Sequence, residues 1–419
     1  MHAAKDTLVR LLRWSEKYTK TDMVYLAGGG AWLGFSQLVS SVQALVLTLI
    51  LANVLSPDTF GQYRFLIAAF SILSVFSLSG MATAVLQSTP KGYKRNLTAG
   101  LRQKIGYGLI GGVLSLAAAA YYFVQGNDAY GWSFIVVAAA VPFFSTSDLY
   151  LPYLQALKKF SEAALYNTIT KSVLLASMLA AAFFFREHLA VLVGVFLFSQ
   201  IIVNFVAEWR VARKHIAQDD VSDPGLIPYA KHLSVMGALG TVALYLDHVL
   251  VGHFVGAAGL AIFAVANMVP MEAMRFARIV PTLAFPKFAA SRAATVRATL
   301  MPKIWRYFVL VSLGVAAYIA LAPFIIPLLF PAYASAVPYT QVLALSMLQF
   351  PFLLIGTYLN AAKRVRALYL FSIAVPLTSI VAVLVLIPIF GIWGAACALL
   401  LTAFVRSMIL AILLRYSRI

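Results

Sequence analysis

Acidic residues are scarce in this chain: 14 Asp and Glu stand against 32 Lys and Arg, and charged residues of both signs fill 11% of 419 positions, against 62% apolar ones. So little polar surface cannot solvate a globule of this length, which excludes a water-soluble fold. Cysteine is almost absent. Cys397, the single one, lies in the last apolar stretch, so there is no disulfide framework or Cys-based metal site, and its expected role is packing. The six His residues show no His-Glu-x-x-His spacing, and Gly28-Gly29-Gly30 lacks the Lys and Ser/Thr of a phosphate loop, so those glycines read as close helix packing. Asp6 and Glu16 among the N-terminal bases, and a first apolar run too long for a signal core, argue against a signal peptide. Residues 1–22 set Leu8, Leu11, Leu12 and Trp14 against those bases and read as a cytoplasmic amphipathic interfacial helix, with a frayed basic tail as the alternative. Long polar gaps are missing too: the longest, about 22 residues, is too short to fold alone, so no extramembrane catalytic domain is present.

What is present is apolar sequence in membrane-sized pieces. A bilayer core takes about 20 apolar residues per helix, and stretches near 24–53, 59–86, 101–124, 131–157, 162–185, 189–209, 232–254, 259–285, 304–322, 338–361, 367–387 and 392–414 predict an all-α polytopic membrane protein with twelve spans. Pro323, Pro327 and Pro331 interrupt the ninth gap, which reads as a short re-entrant or interfacial segment. Of the 32 Lys and Arg, 26 fall in every second gap and only Arg186 in a gap of the other parity, which places both termini in the cytoplasm. Topology beside anionic lipid accounts for the net charge of +18, and no nucleic-acid partner is needed to explain it.

An internal repeat runs through the spans. Tyr153-Leu154-Gln155-Ala156-Leu157-Lys158-Lys159 faces Tyr358-Leu359-Asn360-Ala361-Ala362-Lys363-Arg364 at an offset of 205 residues, or six spans, so the copies are parallel. Leu51 to Tyr63 faces Val251 to Phe263 at an offset of 200. The expected organisation is an N-lobe over 23–209, a cytoplasmic linker over 210–231 containing Gln218, Asp219, Asp220, Ser222, Asp223, Pro224 and Gly225, and a C-lobe over 232–419. Two such lobes around a central cavity suggest a transporter that rocks between two states.

The hairpins carry motifs. Leu51-Ala52-Asn53-Val54-Leu55-Ser56-Pro57-Asp58-Thr59-Phe60-Gly61-Gln62-Tyr63 resembles the ARxLxPxxFGxY signature of the polysaccharide and oligosaccharide-lipid flippases, which include the Wzx-type O-antigen flippases. Asp247 to Gly256 followed by Gly259-Leu260-Ala261-Ile262-Phe263 is similar to the family's DxxxLGxxxGxxxLGxY, and Ile387 to Ala396 to its IPxxGxxGAA turn; Phe285-Pro286-Lys287 follows the eighth span. Asn53 departs from the motif, which has Arg there. Read locally, Ser56-Pro57-Asp58 is a tight turn that places Asp58 near the cap of the next helix. The resemblance covers nearly the whole chain, and twelve spans fit it better than the related fourteen-span lipid II flippases. It implies a MATE-like fold and outward flipping of an isoprenyl-diphosphate-linked oligosaccharide across the bacterial cytoplasmic (inner) membrane, beside a polysaccharide polymerase and chain-length machinery.

Ionisable residues within spans cost about 3 kcal/mol each on insertion scales and mark cavities or partners. Glu272, Arg275 and Arg278 share a face of the eighth span between Pro270 and Pro281, either facing a cavity or as an internal pair with Arg278 reaching inward. Lys171 and Arg406 lie about nine residues from the inner helix ends, and Arg64 near an outer one. Arg275, Arg278, Lys171, Arg406 and Arg64 form the candidate anion-binding set, the first four for the diphosphate. Asp247, Glu272 and Asp148, the last after Ser145-Thr146-Ser147, are candidates for charge balance or coupling, with Asp247 beside His248 as the protonatable one. No cofactor is called for; proton coupling, sodium coupling and the membrane potential alone are the open alternatives. The rival functions are a MATE-like small-molecule exporter, which would favour acidic residues, and a membrane glycan polymerase or ligase, which would need a substantial outer loop.

Overall fold

The computed structural model of the chain describes residues 23–144, 148–277, 280–281, 284, 288, 293–362 and 364–416. Residues 1–22, Ser145-Thr146-Ser147, Arg278 and Phe285-Pro286-Lys287 lie outside the described residues. Every regular element among the described residues is a helix, and ten are long and apolar enough to cross a membrane. Their surfaces are inverted relative to a soluble protein. Val113, Phe184, Phe324, Leu328 and Ile389 are more than half exposed, while Gly108, Gly111, Gly112 and Ser115 are buried on one long helix. Small residues inside and large apolar ones outside are what lipid demands. The chain is a multi-pass membrane protein.

Compactness divides the chain into Phe35–Ala261 and a second unit of Ile262–Ile419 with the chain up to Gly34. The first contains most of α1 (Met23–Val54), α2 (Pro57–Leu73), α3 (Met81–Ser88), α4 (Asn96–Val124), α5 (Asp128–Phe144), α6 (Tyr150–Ala156), α7 (Phe160–Phe184), α8 (Leu189–His215), α9 (Leu226–Phe254) and the start of α10 (Ala257–Ala277). Ser56 caps α2 and Asp58 lies near the cap, as expected: the Ser56 hydroxyl accepts from Thr59 N at 3.1 Å, with Pro57 in the first turn and Asp58 one place further in. The spans expected over 59–86 and 131–157 are each broken rather than continuous. In the first, Ser77-Leu78-Ser79-Gly80 takes Leu78 to φ 53°, and the freed Gly80 N–H donates to Ser234 Oγ of α9 at 2.9 Å. In the second, Leu149 N–H at the start of α6 donates to Glu208 Oε1 of α8 at 3.1 Å. Both breaks persist because another helix supplies the missing acceptor.

The helices also shorten the segment expected over 210–231. α8 continues to His215, where Arg213, Lys214 and His215 suit the negative end of its dipole, and Lys214 and His215 reach Glu162 at 3.0 and 3.3 Å. Only 216–225 separate it from α9. That segment is tied down, with Arg95 N–H donating to Val221 O at 3.3 Å and Asp223 N–H to Asn96 Oδ1 at 2.8 Å. α9 then packs on α2 and α3.

The second unit contains most of α10, α11 (Ala293–Leu329), α12 (Val337–Ala344), α13 (Leu353–Ala361) and α14 (Val365–Tyr416). 3₁₀ turns Pro331–Ala336 and Leu345–Phe352 flank α12. The prolines of the ninth gap do not form a re-entrant segment: α11 runs through Pro302, Pro323 and Pro327 to Leu329. Pro323 offers no N–H to Ile319 O four residues back, and Gln341 Nε2 donates to that carbonyl instead, at 3.0 Å. α14 is broken at Gly391, with φ 57° and ψ −128°, a conformation open essentially to glycine. Cys397 is exposed on α14, so its expected packing role is not met.

The repeat is visible in the backbone itself. α1 ends at Val54 and α9 at Phe254, and the next helices begin at Pro57 and Ala257, an offset of 200 at each. Leu55 N–H to Leu51 O (3.0 Å) is matched by Val255 N–H to Val251 O (2.9 Å). At the other offset, Leu157 N–H to Tyr153 O (3.0 Å) and Lys159 N–H to Leu154 O (2.8 Å) are matched by Ala362 N–H to Tyr358 O (2.8 Å) and Arg364 N–H to Leu359 O (3.0 Å). These paired bonds form the same helix-ending cap twice.

Candidate functional site

α8 carries Gln200, Asn204 and Glu208 four residues apart, so all three share one face, and all are buried. α7 answers with Asn167, Thr170 and Lys171. Lys171 Nζ donates to Gln200 Oε1 at 3.0 Å and Thr170 Oγ1 to Asn204 Oδ1 at 2.8 Å, with Tyr150 OH on the same oxygen at 3.4 Å. Asn167 Nδ2 donates to Ser36 Oγ (2.9 Å) and Ser40 Oγ (3.1 Å) of α1, and Gln43 Nε2 to Ser172 Oγ (2.8 Å). The result is a polar belt across α1, α6, α7 and α8, with Lys171 in it and Glu208 at its end.

The other candidates of this unit sit apart from the belt. Arg64 Nη2 lies 3.4 Å from His248 Nε2, and His248 Nδ1 lies 2.8 Å from Asp247 Oδ1, so Arg64 and Asp247 are brought together through a histidine. Asp247 and His248 are buried and Arg64 half-buried. Asp148 lies between α5 and α6 with its side chain 71% exposed, and pairs at 3.9 Å with Lys104, which is buried. The pair lies beside the start of α6.

In the second unit, Glu272 and Arg275 form an ion pair within α10, three residues apart; Glu272 is buried and Arg275 exposed. That is the internal pair of the sequence reading. Arg406 Nη1 of α14 donates to Gln349 Oε1 at 2.7 Å, and Gln349 is buried in the 3₁₀ turn before α13. Among the described residues no group of three or more His, Cys, Asp or Glu could hold a metal.

Residues 26–292 match the family described as polysaccharide biosynthesis protein. The chain belongs to this family. No curated protein matches it. Among solved structures, this polysaccharide biosynthesis family member is similar to an inward-facing multidrug resistance MATE transporter of the MOP superfamily, at 12% identity and TM-score 0.66 over 90% of this chain and 94% of that one. It is likewise similar to the lipid II flippase MurJ in an inward closed conformation, at 13% identity and TM-score 0.63 over 92% and 87%. A third similar structure is a MOP transporter from Pyrococcus furiosus, described as having a binding pocket of reversed polarity, at 13% identity and TM-score 0.57 over 93% and 95%. The fold is therefore MATE-like.

The sequence reading passes over several of the partners that hold these residues: Gln200, Gln349, Lys104 and Glu208. The four-residue spacing of Gln200, Asn204 and Glu208 in an apolar helix is a readable signal for three belt residues, since polar groups in lipid are costly unless they share a face toward partners.

Proposed function

We propose that this family member is a flippase that moves an isoprenyl-diphosphate-linked oligosaccharide from the cytoplasmic to the outer leaflet by alternating access, for cell-surface polysaccharide assembly. It acts in the bacterial inner membrane with both termini cytoplasmic. Twelve spans follow if α14 counts as two across Gly391 and if α5, too short to cross alone, is completed by α6; six spans then form each half. The observation that carries the reading is the way the in-membrane cations Lys171 and Arg406 are presented. Each donates to a glutamine carboxamide, a neutral acceptor that orients the cation. Such cations suit the phosphate oxygens of a diphosphate, Arg406 through its two-pronged guanidinium. Family membership and the likeness to a lipid II flippase support a lipid-linked substrate.

A diphosphate diester carries about two negative charges, so outward transfer across an inside-negative membrane gains up to roughly 4.6 kcal/mol per 100 mV. The potential alone can drive export. Partner enzymes would be a polysaccharide polymerase and its chain-length machinery.

Proteoliposomes containing the purified protein and a fluorescent isoprenyl-diphosphate oligosaccharide test the reading. Export accelerated by an imposed potential, and slowed in Lys171→Gln and Arg406→Gln, is the expected result. Transport of small organic cations with no movement of the lipid-linked sugar would establish the exporter instead.

A further inference from the structure

The chain Arg64–His248–Asp247 has a fixed hydrogen-bond direction. A guanidinium only donates, so His248 Nε2 is the acceptor at 3.4 Å. The ring proton is then on Nδ1, where it donates to Asp247 Oδ1 at 2.8 Å. The same oxygen takes the His248 backbone N–H at 2.7 Å, which holds the carboxylate still. A neutral imidazole thus stands between a cation and an anion. Its single lone pair, on Nε2, is the one that faces Arg64.

A proton and Arg64 therefore compete for one lone pair. We propose that His248 Nε2 is a proton-binding site, and that its protonation hands Arg64 from α9 to the anionic group of the substrate, so that proton and anion bind together. This rests on the anion-carrying reading above. In the step, a proton from water bonds to the Nε2 lone pair, the Nδ1–H bond to Asp247 stays, and no other bond forms or breaks. The imidazolium and guanidinium then face each other as like charges, and Arg64 leaves for the phosphate oxygens.

Few other ionisable groups within the unit share this region. On α2 the neighbours of Arg64 are Tyr63, whose ring packs on Phe196 (centroids 5.9 Å apart), and Asp58 in the first turn. The turn Ser74–Phe76 and α3 contain none. On α4, Arg102, Lys104 and Tyr107 lie toward its start, with Tyr107 beneath Lys231 (5.1 Å), and Tyr121 and Tyr122 at its end, with Tyr122 stacked on Tyr130. His253 on α9 itself lies edge-on to Phe254.

The test is binding of farnesyl diphosphate, a short isoprenyl diphosphate, to the full-length protein in nanodiscs from about pH 8 to about pH 5, where histidine changes charge. His248→Gln keeps an oxygen that can accept from Arg64 but does not titrate, and the readout is the wild-type slope in excess of its slope, which removes titration of the ligand itself. The excess is expected to reach at most about tenfold in affinity per pH unit, the limit for one linked proton. It should vanish in Arg64→Gln as well, because the group to be released is gone. Equal slopes in wild type and His248→Gln, or a full excess slope in Arg64→Gln, overturn the proposal while leaving the flippase reading in place. Absence of farnesyl diphosphate binding to wild type at every pH overturns the anion-carrying reading and this inference with it. If His248→Gln does not fold, the comparison of wild type with Arg64→Gln decides alone.

Discussion

The two compact units hold their membrane-embedded charges by different means. In Phe35–Ala261, Lys171 belongs to a belt in which side chains of α1, α6, α7 and α8 bond to one another, ending at Glu208, which also caps a broken helix. In the second unit, Arg406 donates to Gln349, and Arg275 meets Glu272 within one helix. A networked charge is placed by several helices at once, and its loss is felt as stability. A charge held outside such a belt is placed more locally, and its loss is felt at the ligand. The first unit therefore suits a fixed frame, and the second an adjustable contact.

The largest effect should come from the cations themselves. Lys171→Gln and Arg406→Gln should each weaken isoprenyl-diphosphate binding by roughly 1.5–3 kcal/mol, the scale of a charged hydrogen bond. Only Lys171→Gln should also lower the thermal midpoint; equal midpoints for the two variants would break the distinction between network and local pair. Next come the carboxylates. Glu208→Ala strips the buried Leu149 N–H of its acceptor and should cost about 1–3 kcal/mol in unfolding measurements. Glu272→Ala removes a contact between neighbours on a single helix, and should cost less than Glu208→Ala. Thermal scans that rank these two the other way would invert the comparison. A smaller loss is expected for Gln341→Leu, which leaves the Ile319 carbonyl opposite Pro323 without its donor, at about 1 kcal/mol by thermal scan. Smallest is Cys397→Ala, within about 0.5 kcal/mol because the residue is exposed. In that background Ser222→Cys should be labelled by an impermeant reagent only from the cytoplasmic side, and labelling from outside intact cells would reverse the topology.

Much of this fold can be read in the sequence because its rules are local. Apolar length places the helices, and Pro57 and Gly256 mark hairpins that recur at an offset of 200. The Tyr153 and Tyr358 segments end in the same cap because the same side chains meet the same backbone demand. The breaks at Ser77–Gly80 and before Tyr150 are not legible, since each depends on an acceptor, Ser234 or Glu208, from a helix far along the chain. The start of α2 is legible as well: the Ser56-Pro57-Asp58 turn puts Asp58 in the first helical turn, and Pro57 in the first helical position makes Ser56 the cap. The candidate site divides the same way. Burial cost picks out Arg64, Asp247, Lys171 and Arg406, but which neutral group orients each is a matter of interhelical packing. His248 is the clearest case. It can be read as a partner for Asp247, but not as the acceptor for an arginine 184 residues away.

The packing of α9 on α2 and α3 also bears on how the protein is made. Gly61 lies so close to Ala257 O that an added methyl group would sit 1.8 Å from it, so the first hairpin is complete only when the hairpin two hundred residues later has arrived. At synthesis rates of about 5–20 residues per second, the roughly 45 residues from the end of the sixth span to Phe254 take on the order of 2–9 s. During that wait the faces of α2 and α3 that α9 will cover stand open in the bilayer. The nascent chain therefore asks the insertion machinery to shield a half-built bundle, and a ribosome stalled in the 216–225 segment would leave a product ready to misassemble.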